Sequence, residues 1–249
     1  MLESSQSKAK IKDQKSEIKN RFINYRPRLS RRLLSFGLHA AMKLLLSIEI
    51  TGWENVPSSG GVILMINHIA FLDPVLLTGL FPRPIISMAK AEALDQKIVG
   101  PLIKAFDAFP VNRGTGDRQA LRTAFDVLDA GLPLLIAPEG HRSEVVTLGE
   151  AHEGIAFVAN RSQAPIVPVG ISGTELFKYN FKRGHRTHAV YRFGRSFFLD
   201  AGDERANSEV LKRMTDEAMY QLASILPPQQ RGIYSNIESA TTSYVRFLK

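Results

Sequence analysis

Short apolar runs alternate along the chain with longer segments in which apolar residues recur every three or four positions. The short runs have the length of buried strands, and the longer segments have the period of helices that bury one face. The predicted strands are 48–51, 62–66, 85–89, 134–137, 166–171 and 189–193. The predicted helices are one beginning at Asp73, then 99–106, one from Asp117 to Gly131, 150–161 and 208–226. This alternation predicts an α/β fold in which helices flank a mixed, largely buried β-sheet.

Local signals mark several helix ends. Asp73 is a favourable N-cap residue, and Pro74 suits the first helical position. Asp117 and Gly131 mark the start and the end of the next strong helix, and Pro227 stops the last one. We therefore expect a folded domain over residues 48–226. Residues 1–47 are interpreted as a basic arm with an N-terminal amphipathic helical segment, and residues 227–249 as a C-terminal tail.

Composition and charge narrow the classes of function. The 249 residues are 44% hydrophobic and 22% charged, as in globular proteins. The sequence contains no cysteine, which excludes a disulfide framework, a cysteine-ligated zinc site and a thiol nucleophile. Residues 1–50 carry eleven Lys or Arg and four Asp or Glu, and so hold most of the net charge of +8. A basic arm on a nearly neutral body indicates a polyanionic partner: nucleic acid, an anionic membrane or a phosphorylated substrate.

The arm has two parts. The first twenty residues contain five lysines and few apolar side chains, and we expect them to be disordered. Apolar residues crowd into 33–50, behind Arg31 and Arg32 and with Lys43 in the middle. At about 18 residues this run is at the lower limit for a membrane span. An interfacial helix whose arginines meet anionic headgroups is therefore favoured, with an ordinary core helix as the alternative. No signal peptide is predicted.

Several familiar motifs do not occur in the sequence. There is no G-x-S-x-G elbow, no phosphate-binding P-loop, no dinucleotide-binding G-x-G-x-x-G and no H-E-x-x-H zinc motif. His185 and His188 form a close pair, but their basic surroundings lack carboxylates, so no metal site is predicted. The arm has few aromatic residues and the body has no helix-turn-helix signature, so nucleic acid is not an expected partner.

The strand at 62–66 leads directly into Asn67 and His68, and Asp73 follows five residues after the histidine. Ligands bind at such strand ends in open α/β sheets. If His68 lies in the loop and Asp73 at the helix start, the carboxylate can hold one imidazole nitrogen while the other accepts a proton. On this spacing alone a structural histidine is the more common outcome.

Three further blocks place polar or special residues where a strand ends or turns. Arg113 and Gly114 lie in a turn after a strand-like segment, where a guanidinium can bind a phosphate. Glu139 and Gly140 follow a buried strand and offer a carboxylate beside a flexible glycine. Pro168 lies inside an apolar strand, which predicts an edge position or a pocket wall.

These four blocks, in this order and spacing, resemble the motifs of the glycerolipid acyltransferase family, whose best-known members are the 1-acylglycerol-3-phosphate (lysophosphatidate) acyltransferases. The matching residues are Asn67, His68 and Asp73; Pro110, Val111, Arg113 and Gly114; Pro138, Glu139, Gly140, Arg142 and Ser143; and Pro168. The resemblance runs from about Ile48 to Gly194. His141 stands where the third motif usually has Thr, and Glu153 stands where the family often has a lysine before a glycine. These departures weaken the prediction of the acceptor.

The resemblance implies catalysis by His68 and Asp73. His68 is the general base for an acceptor hydroxyl that attacks an acyl thioester directly, and Asp73 orients His68 and stabilises its imidazolium. The residues implied in substrate binding are Asn67, Arg113, Gly114, Glu139, Gly140, Arg142 and Pro168. Arg113 is the main candidate for the acceptor phosphate. The alternatives are a surface ion pair for either arginine and a structural hydrogen bond for Glu139.

The implied reaction moves a fatty acyl group from acyl-CoA or acyl carrier protein to a lysophospholipid, foremost 1-acylglycerol-3-phosphate, in phospholipid biosynthesis. No cofactor and no metal are implied. We expect the enzyme to work at a phospholipid membrane that contains anionic lipid, as a peripheral or monotopic protein of the cytoplasmic face. The alternatives are another acceptor such as glycerol-3-phosphate, a thioesterase in which water attacks the acyl group, and a non-catalytic membrane-binding protein.

Overall fold

The structure, a computed structural model, describes residues 22, 25–97, 99–112, 116–143 and 145–248. Its helices are α1 (Leu29–Leu45), α2 (Asp73–Leu80), α3 (Val99–Ala105), α4 (Arg118–Asp129), α5 (Gly154–Ser162), α6 (Phe177–Lys182) and α7 (Ser208–Ser224). Its strands are β1 (Leu46–Thr51), β2 (Val62–Ile66), β3 (Ile86–Lys90), β4 (Phe109–Val111), β5 (Pro133–Ile136), β6 (Ile166–Ser172), β7 (Thr187–Phe193), β8 (Phe197–Leu199) and β9 (Val245–Phe247).

The nine strands of the described residues form one mixed sheet in the order β1-β7-β6-β2-β5-β3-β4, with β8 pairing with β6 and β9. The five strands from β6 to β4 are parallel, β7 is antiparallel to β6, and β1 is parallel to β7. The predicted α/β fold with a mixed sheet is confirmed. Because β2, β5 and β6 are parallel, their carboxyl ends meet at one edge of the sheet, where ligands bind in open sheets.

Central strand β2 is buried on both faces, as its uninterrupted apolar sequence predicts. Ile63 and Met65 pack into a core with α4, α5 and α7. Val62, Leu64 and Ile66 pack on the other face, with α1 and α2. Alternate side chains of one strand therefore hold both helical layers in place.

Every predicted strand is present, and its ends differ from the prediction by at most two residues. The helix predicted over 150–161 begins only at Gly154. The residues before it are held by the loop after β5 instead, because the Gly149 N–H donates to Glu139 and the His152 N–H donates to the Pro138 carbonyl. Helix α6 and strands β8 and β9 are not predicted, because they are too short for a periodic pattern to identify.

The predicted edge position of Pro168 is wrong. Pro168 is buried in β6, which lies between β2 and β7 in the sheet. On the β7 side, Ile166 pairs with β8 whereas Val169 pairs with β7, so Pro168 lies where the strand changes partner. A missing N–H costs least at such an interruption of the ladder.

The apolar run predicted over 33–50 is split between two elements, because α1 ends at Leu45 and β1 begins at Leu46. In the described part of the chain, no helix has the length and hydropathy needed to cross a bilayer. The disorder predicted for the first twenty residues lies outside the described residues. The 227–248 segment packs on the domain: Tyr234, Tyr244 and Val245 are buried, and β9 extends the sheet through β8.

Arg31 does not face outward with Arg32, contrary to the expectation that both meet headgroups. It is 3% exposed, and its guanidinium donates to the carbonyl oxygens of Phe106 at 2.8 Å and Ile85 at 2.7 Å. It also pairs with Asp107 at 3.2 Å, and Asp107 accepts a short hydrogen bond from the Tyr25 hydroxyl. The buried guanidinium thus attaches the start of α1 to the body.

We expect Arg31→Ala to lower the free energy of unfolding by about 2 kcal/mol, because it removes the ion pair of a buried carboxylate and the donor to two backbone carbonyl groups. Denaturant unfolding measures this loss. The exposed neighbour gives the matched control, since Arg32→Ala should change stability by less than about 0.5 kcal/mol. Equal effects of the two substitutions would contradict the buried attachment.

Candidate active site

The site begins where β2 leaves the sheet. Asn67 is 2% exposed, its side-chain amide donates to the Ile171 carbonyl at 2.8 Å, and its side-chain oxygen accepts from the Ile171 N–H at 2.7 Å. The asparagine therefore continues the β2–β6 pairing by one step and fixes the point from which His68 emerges. Asn67 is predicted as a substrate-binding residue, but these contacts are those of a residue that holds two strand ends together.

His68 and Asp73 meet in the arrangement that the spacing allows, with His68 in the loop and Asp73 at the helix start. His68 Nδ1 lies 3.3 Å from Asp73 Oδ2, and the Asp73 side chain is fully buried whereas the imidazole is 20% exposed. Because an ionised carboxylate only accepts, Nδ1 is assigned as the donor and Nε2 keeps its lone pair. The accessible imidazole is thus arranged to take a proton at Nε2.

Asp73 does not cap its own helix, contrary to the sequence-based expectation. Its Oδ2 accepts from the backbone N–H groups of Ile69 at 2.8 Å and Ala70 at 2.6 Å, in the loop that precedes the helix. The carboxylate therefore shapes the loop that carries His68 in addition to contacting its ring.

Thr174 belongs to none of the predicted motifs, yet it donates from Oγ1 to Asp73 Oδ1 at 2.7 Å and is 2% exposed. It lies in the turn after β6, whose carboxyl end neighbours that of β2. Gly173 enters this turn with φ +88°, and a Cβ there would collide with the His188 carbonyl oxygen. Gly173 is therefore the feature of the sequence that indicates a tight turn at this position.

Thr174→Val is expected to lower kcat by about three- to tenfold, because it removes one charge-assisted hydrogen bond from the carboxylate that orients His68. The KM values for donor and acceptor should stay unchanged, and Thr174→Ser should restore kcat. Steady-state kinetics of the three proteins measure this split. A rise in KM with unchanged kcat, or failure of the serine variant to recover, would contradict a positioning role.

The loop after β5 packs on the His68 loop. The Ser143 N–H donates to the His68 carbonyl at 2.7 Å. Glu139 is 2% exposed; its Oε2 accepts from the Gly149 N–H at 2.9 Å, and its buried Oε1 has no donor in the described part of the chain. Burial raises the pKa of Glu139, against the opposing effects of the Gly149 N–H and of His141 and His68. Gly140, at φ +73°, turns the chain next to it.

Glu139→Gln should be more stable than the wild type at pH 7, and the difference should vanish towards pH 4. Because the folded-state pKa of Glu139 is raised, the unfolded chain releases this proton first. Wild-type stability therefore falls as the pH rises from the unfolded-state pKa towards the folded-state pKa. Urea unfolding across this pH range measures the difference, with the exposed Glu209→Gln as control. A difference that is independent of pH would contradict the prediction.

A cavity of about 350 Å³ opens beside this loop, between the carboxyl ends of the strands and helices α4 and α5. Most of its lining is apolar, and its apolar residues include Met88, Val111, Leu121, Ile136, Ile155 and Val158. Pro138 and Gly140 line it from the loop after β5, and His152 and Asn112 supply polar groups. Such a cavity fits an apolar chain that enters beside polar groups.

Asp117 lines the cavity and lies close in the sequence to the predicted motif that contains Arg113 and Gly114. It caps α4 by accepting from the N–H groups of Gln119 and Ala120, as predicted. Its other oxygen accepts from the Asn112 N–H at 3.0 Å and the Asn112 side chain at 3.1 Å. Hydrogen bonds from Ala120, Asn112 and Gln119 lower the pKa of Asp117. The carboxylate therefore links Asn112 to the first turn of α4.

The structure brings together only part of the predicted set. His68, Asp73 and Glu139 converge at one edge of the sheet, with Gly140 lining the adjacent cavity. Arg113 and Gly114 lie outside the described residues, so their roles stay predictions. Arg142 is exposed on the loop after β5. Pro168 is buried within β6 and, like Asn67, is not among the residues that line the cavity.

The chain is similar in sequence to known acyltransferases. The family model described as Acyltransferase matches residues 47–172. A 1-acyl-sn-glycerol-3-phosphate acyltransferase of Bacillus subtilis is 32% identical over 150 residues, covering 58% of this chain and 74% of that protein. A Pseudomonas aeruginosa protein of the same name is 25% identical over 187 residues, covering 74% of this chain and 72% of that protein.

The fold has a solved counterpart. The crystal structure of the 1-acyl-sn-glycerophosphate acyltransferase PlsC from Thermotoga maritima matches with a TM-score of 0.55 and 21% identity, covering 82% of this chain and 84% of that chain. The family match spans β1 to β6 and so includes His68, Asp73 and the loop after β5. The chain therefore belongs to the Acyltransferase family, among the glycerolipid acyltransferases, and is an O-acyltransferase.

Proposed function

We propose that the protein transfers a fatty acyl group from an acyl thioester to the free hydroxyl of 1-acylglycerol-3-phosphate, giving phosphatidate for phospholipid biosynthesis. The observation that carries this proposal is the accessible His68 imidazole held on the buried Asp73 carboxylate. The names of the relatives support the choice of acceptor, since both the Bacillus and the Pseudomonas protein are named for this substrate.

The proposed reaction is a direct transfer. His68 Nε2 takes the proton of the acceptor hydroxyl while the hydroxyl oxygen attacks the thioester carbonyl carbon. Asp73 stabilises the imidazolium that results. When the tetrahedral intermediate collapses, the C–S bond breaks and the imidazolium returns the proton to the leaving thiolate. The absence of cysteine from the sequence supports a path without a thioester-linked enzyme intermediate.

The cavity supports a place for the apolar part of a substrate; its lining does not include His68 itself. Its lining contains Met88, Ile136 and Val158, and Gly140 brings it to the loop that packs on His68. Asn112, which lines the cavity, immediately precedes Arg113 in the sequence. A guanidinium in that position would bind the acceptor phosphate through paired hydrogen bonds.

Helix α1 supports work at a membrane surface. Its outer side carries four large apolar side chains that are 64% to 77% exposed: Leu29, Leu33, Phe36 and Leu44. Arg32 and Lys43 are exposed on the same helix. An apolar stripe with flanking cations is typical of a helix that lies in the headgroup region of anionic membranes. We therefore propose peripheral or monotopic attachment to the cytoplasmic face.

The test is release of free thiol by the purified full chain in mixed detergent micelles. Acyl-CoA and acyl carrier protein are supplied in turn as donors, with 1-acylglycerol-3-phosphate, glycerol-3-phosphate, another lysophospholipid or no acceptor. Release that requires 1-acylglycerol-3-phosphate and forms phosphatidate supports the proposal and identifies the donor. Equal release without acceptor would indicate a thioesterase, and release only with another acceptor would replace the substrate.

A further inference from the structure

A second exposed apolar cluster lies on and before α6. Leu176 is 51% exposed, and Tyr179 and Phe181 are each 57% exposed. Three large apolar side chains within six residues, each more than half exposed, are an unusual concentration on a protein that meets only water. With three exposed basic residues they form what we call the α6 surface: Leu176, Lys178, Tyr179, Phe181, Lys182 and Arg183.

The α6 surface is built onto the core. Phe177 packs inward against the core that contains α1 and α2, and the Phe181 ring stacks on Phe177 at 5.7 Å between centroids. The Arg183 guanidinium lies 3.6 Å from the centroid of the Tyr179 ring. These contacts hold the aromatic rings at the surface.

The charge of this segment has one sign. Residues 176–186 contain four Lys or Arg and no Asp or Glu. Cations interleaved with exposed aromatic and aliphatic groups are complementary to anionic headgroups above acyl chains, because the rings enter the boundary region while the cations meet phosphate.

The position of the α6 surface connects it to the active site and to α1. The turn before α6 contains Thr174, which donates to Asp73. After α6, the Arg186 guanidinium donates to the Lys43 carbonyl at 2.9 Å and, in a short hydrogen bond, to the Leu46 carbonyl. The segments on either side of α6 therefore contact the catalytic carboxylate and the carboxyl end of α1.

We propose that the α6 surface is a second attachment site for an anionic phospholipid bilayer, which together with α1 holds the His68 edge of the sheet close to the membrane. This inference rests on the proposed function, in which α1 lies on the same membrane. The exposed apolar side chains among these cations, and the contact of Arg186 with the carboxyl end of α1, favour lipid over an acidic protein such as acyl carrier protein, which the same cations would attract.

A fluorescent reporter at the α6 surface tests contact directly. The chain has one tryptophan, Trp53, so Phe181→Trp in a Trp53→Phe background reports from the α6 surface alone. We expect a blue shift and quenching by brominated acyl chains in phosphatidylcholine vesicles containing phosphatidylglycerol, and much weaker effects without the anionic lipid. Tyr220→Trp, on helix α7 of the opposite helical layer, is the matched reporter and should show neither effect.

Charge removal tests the cations. Changing Lys178, Lys182 and Arg183 to Gln should weaken partitioning to anionic vesicles about tenfold or more. The same three-charge change at Arg161, Arg205 and Lys212, on the opposite side of the sheet, should have a much smaller effect. Equal loss in both triple variants, or an unquenched reporter at position 181, would overturn the proposal.

Transfer in detergent micelles separates the two proposals. If micellar transfer is normal while the reporter at position 181 gives no signal on vesicles, the attachment site is wrong and the proposed function stands. If no donor and acceptor support transfer, the proposed function is wrong, whatever the reporter shows. Normal vesicle binding of the Gln triple variant, with transfer lost only from acyl carrier protein, would instead assign the α6 surface to the carrier protein.

Discussion

His68→Ala should lower acyl transfer by about 10²- to 10⁴-fold, the usual contribution of a general base. The variant should fold normally, because Asp73 keeps its hydrogen bonds from Ile69, Ala70 and Thr174 when the imidazole is removed. The measurement is thiol release with the preferred donor and acceptor, together with a thermal unfolding curve of the same preparation.

A histidine away from the site provides the control for this variant. His188 is 61% exposed and contacts only Glu49 among the ion pairs of the described residues. We expect His188→Ala to retain full activity. If His68→Ala kept more than about a tenth of wild-type transfer, general-base catalysis by this residue would be excluded.

Asp73→Ala should damage both the fold and the reaction. It removes the acceptor for two backbone N–H groups and the Thr174 hydroxyl in a fully buried position, which should lower the free energy of unfolding by about 3–5 kcal/mol. Transfer should fall at least as far as in His68→Ala, because the loop that carries the histidine loses its shape.

Asp73→Asn separates the two effects. The amide keeps the volume and one acceptor oxygen, so we expect a smaller loss of stability, yet activity should remain low because a neutral group does not stabilise the imidazolium. Denaturant unfolding and thiol release on both variants measure this, with the exposed Asp203→Ala as control. Unchanged stability of Asp73→Ala would show that the buried hydrogen bonds do not hold the loop.

The contact between His68 and Asp73 is predictable from the sequence because it is local. Only five residues separate the two side chains, and the strand before them and the helix after them both have clear patterns. Two of the groups that bind the Asp73 carboxylate, the N–H groups of Ile69 and Ala70, lie within the same loop. When two side chains are separated by so few residues, the local structure largely determines how they contact each other.

The remaining contacts of the site come from distant parts of the chain. Thr174 is 101 residues from Asp73, and Ile171 is 104 residues from Asn67. The apolar pattern of β2 does not identify the strand beside it, because any buried strand has the same kind of pattern. The roles of Thr174 and Asn67 therefore follow only from the strand order.

The amino-acid sequence alone predicts the longer strands, most helices, the mixed α/β class, the motif residues and the basic character of the N-terminal region. Apolar periodicity and local turn residues encode these features within a few positions of one another. Four features emerge only when the chain is folded: Arg31 is buried, Pro168 is central in the sheet, Thr174 contacts Asp73, and α6 carries exposed apolar side chains. Burial and pairing depend on which distant segments pack together, and a linear pattern does not specify that choice.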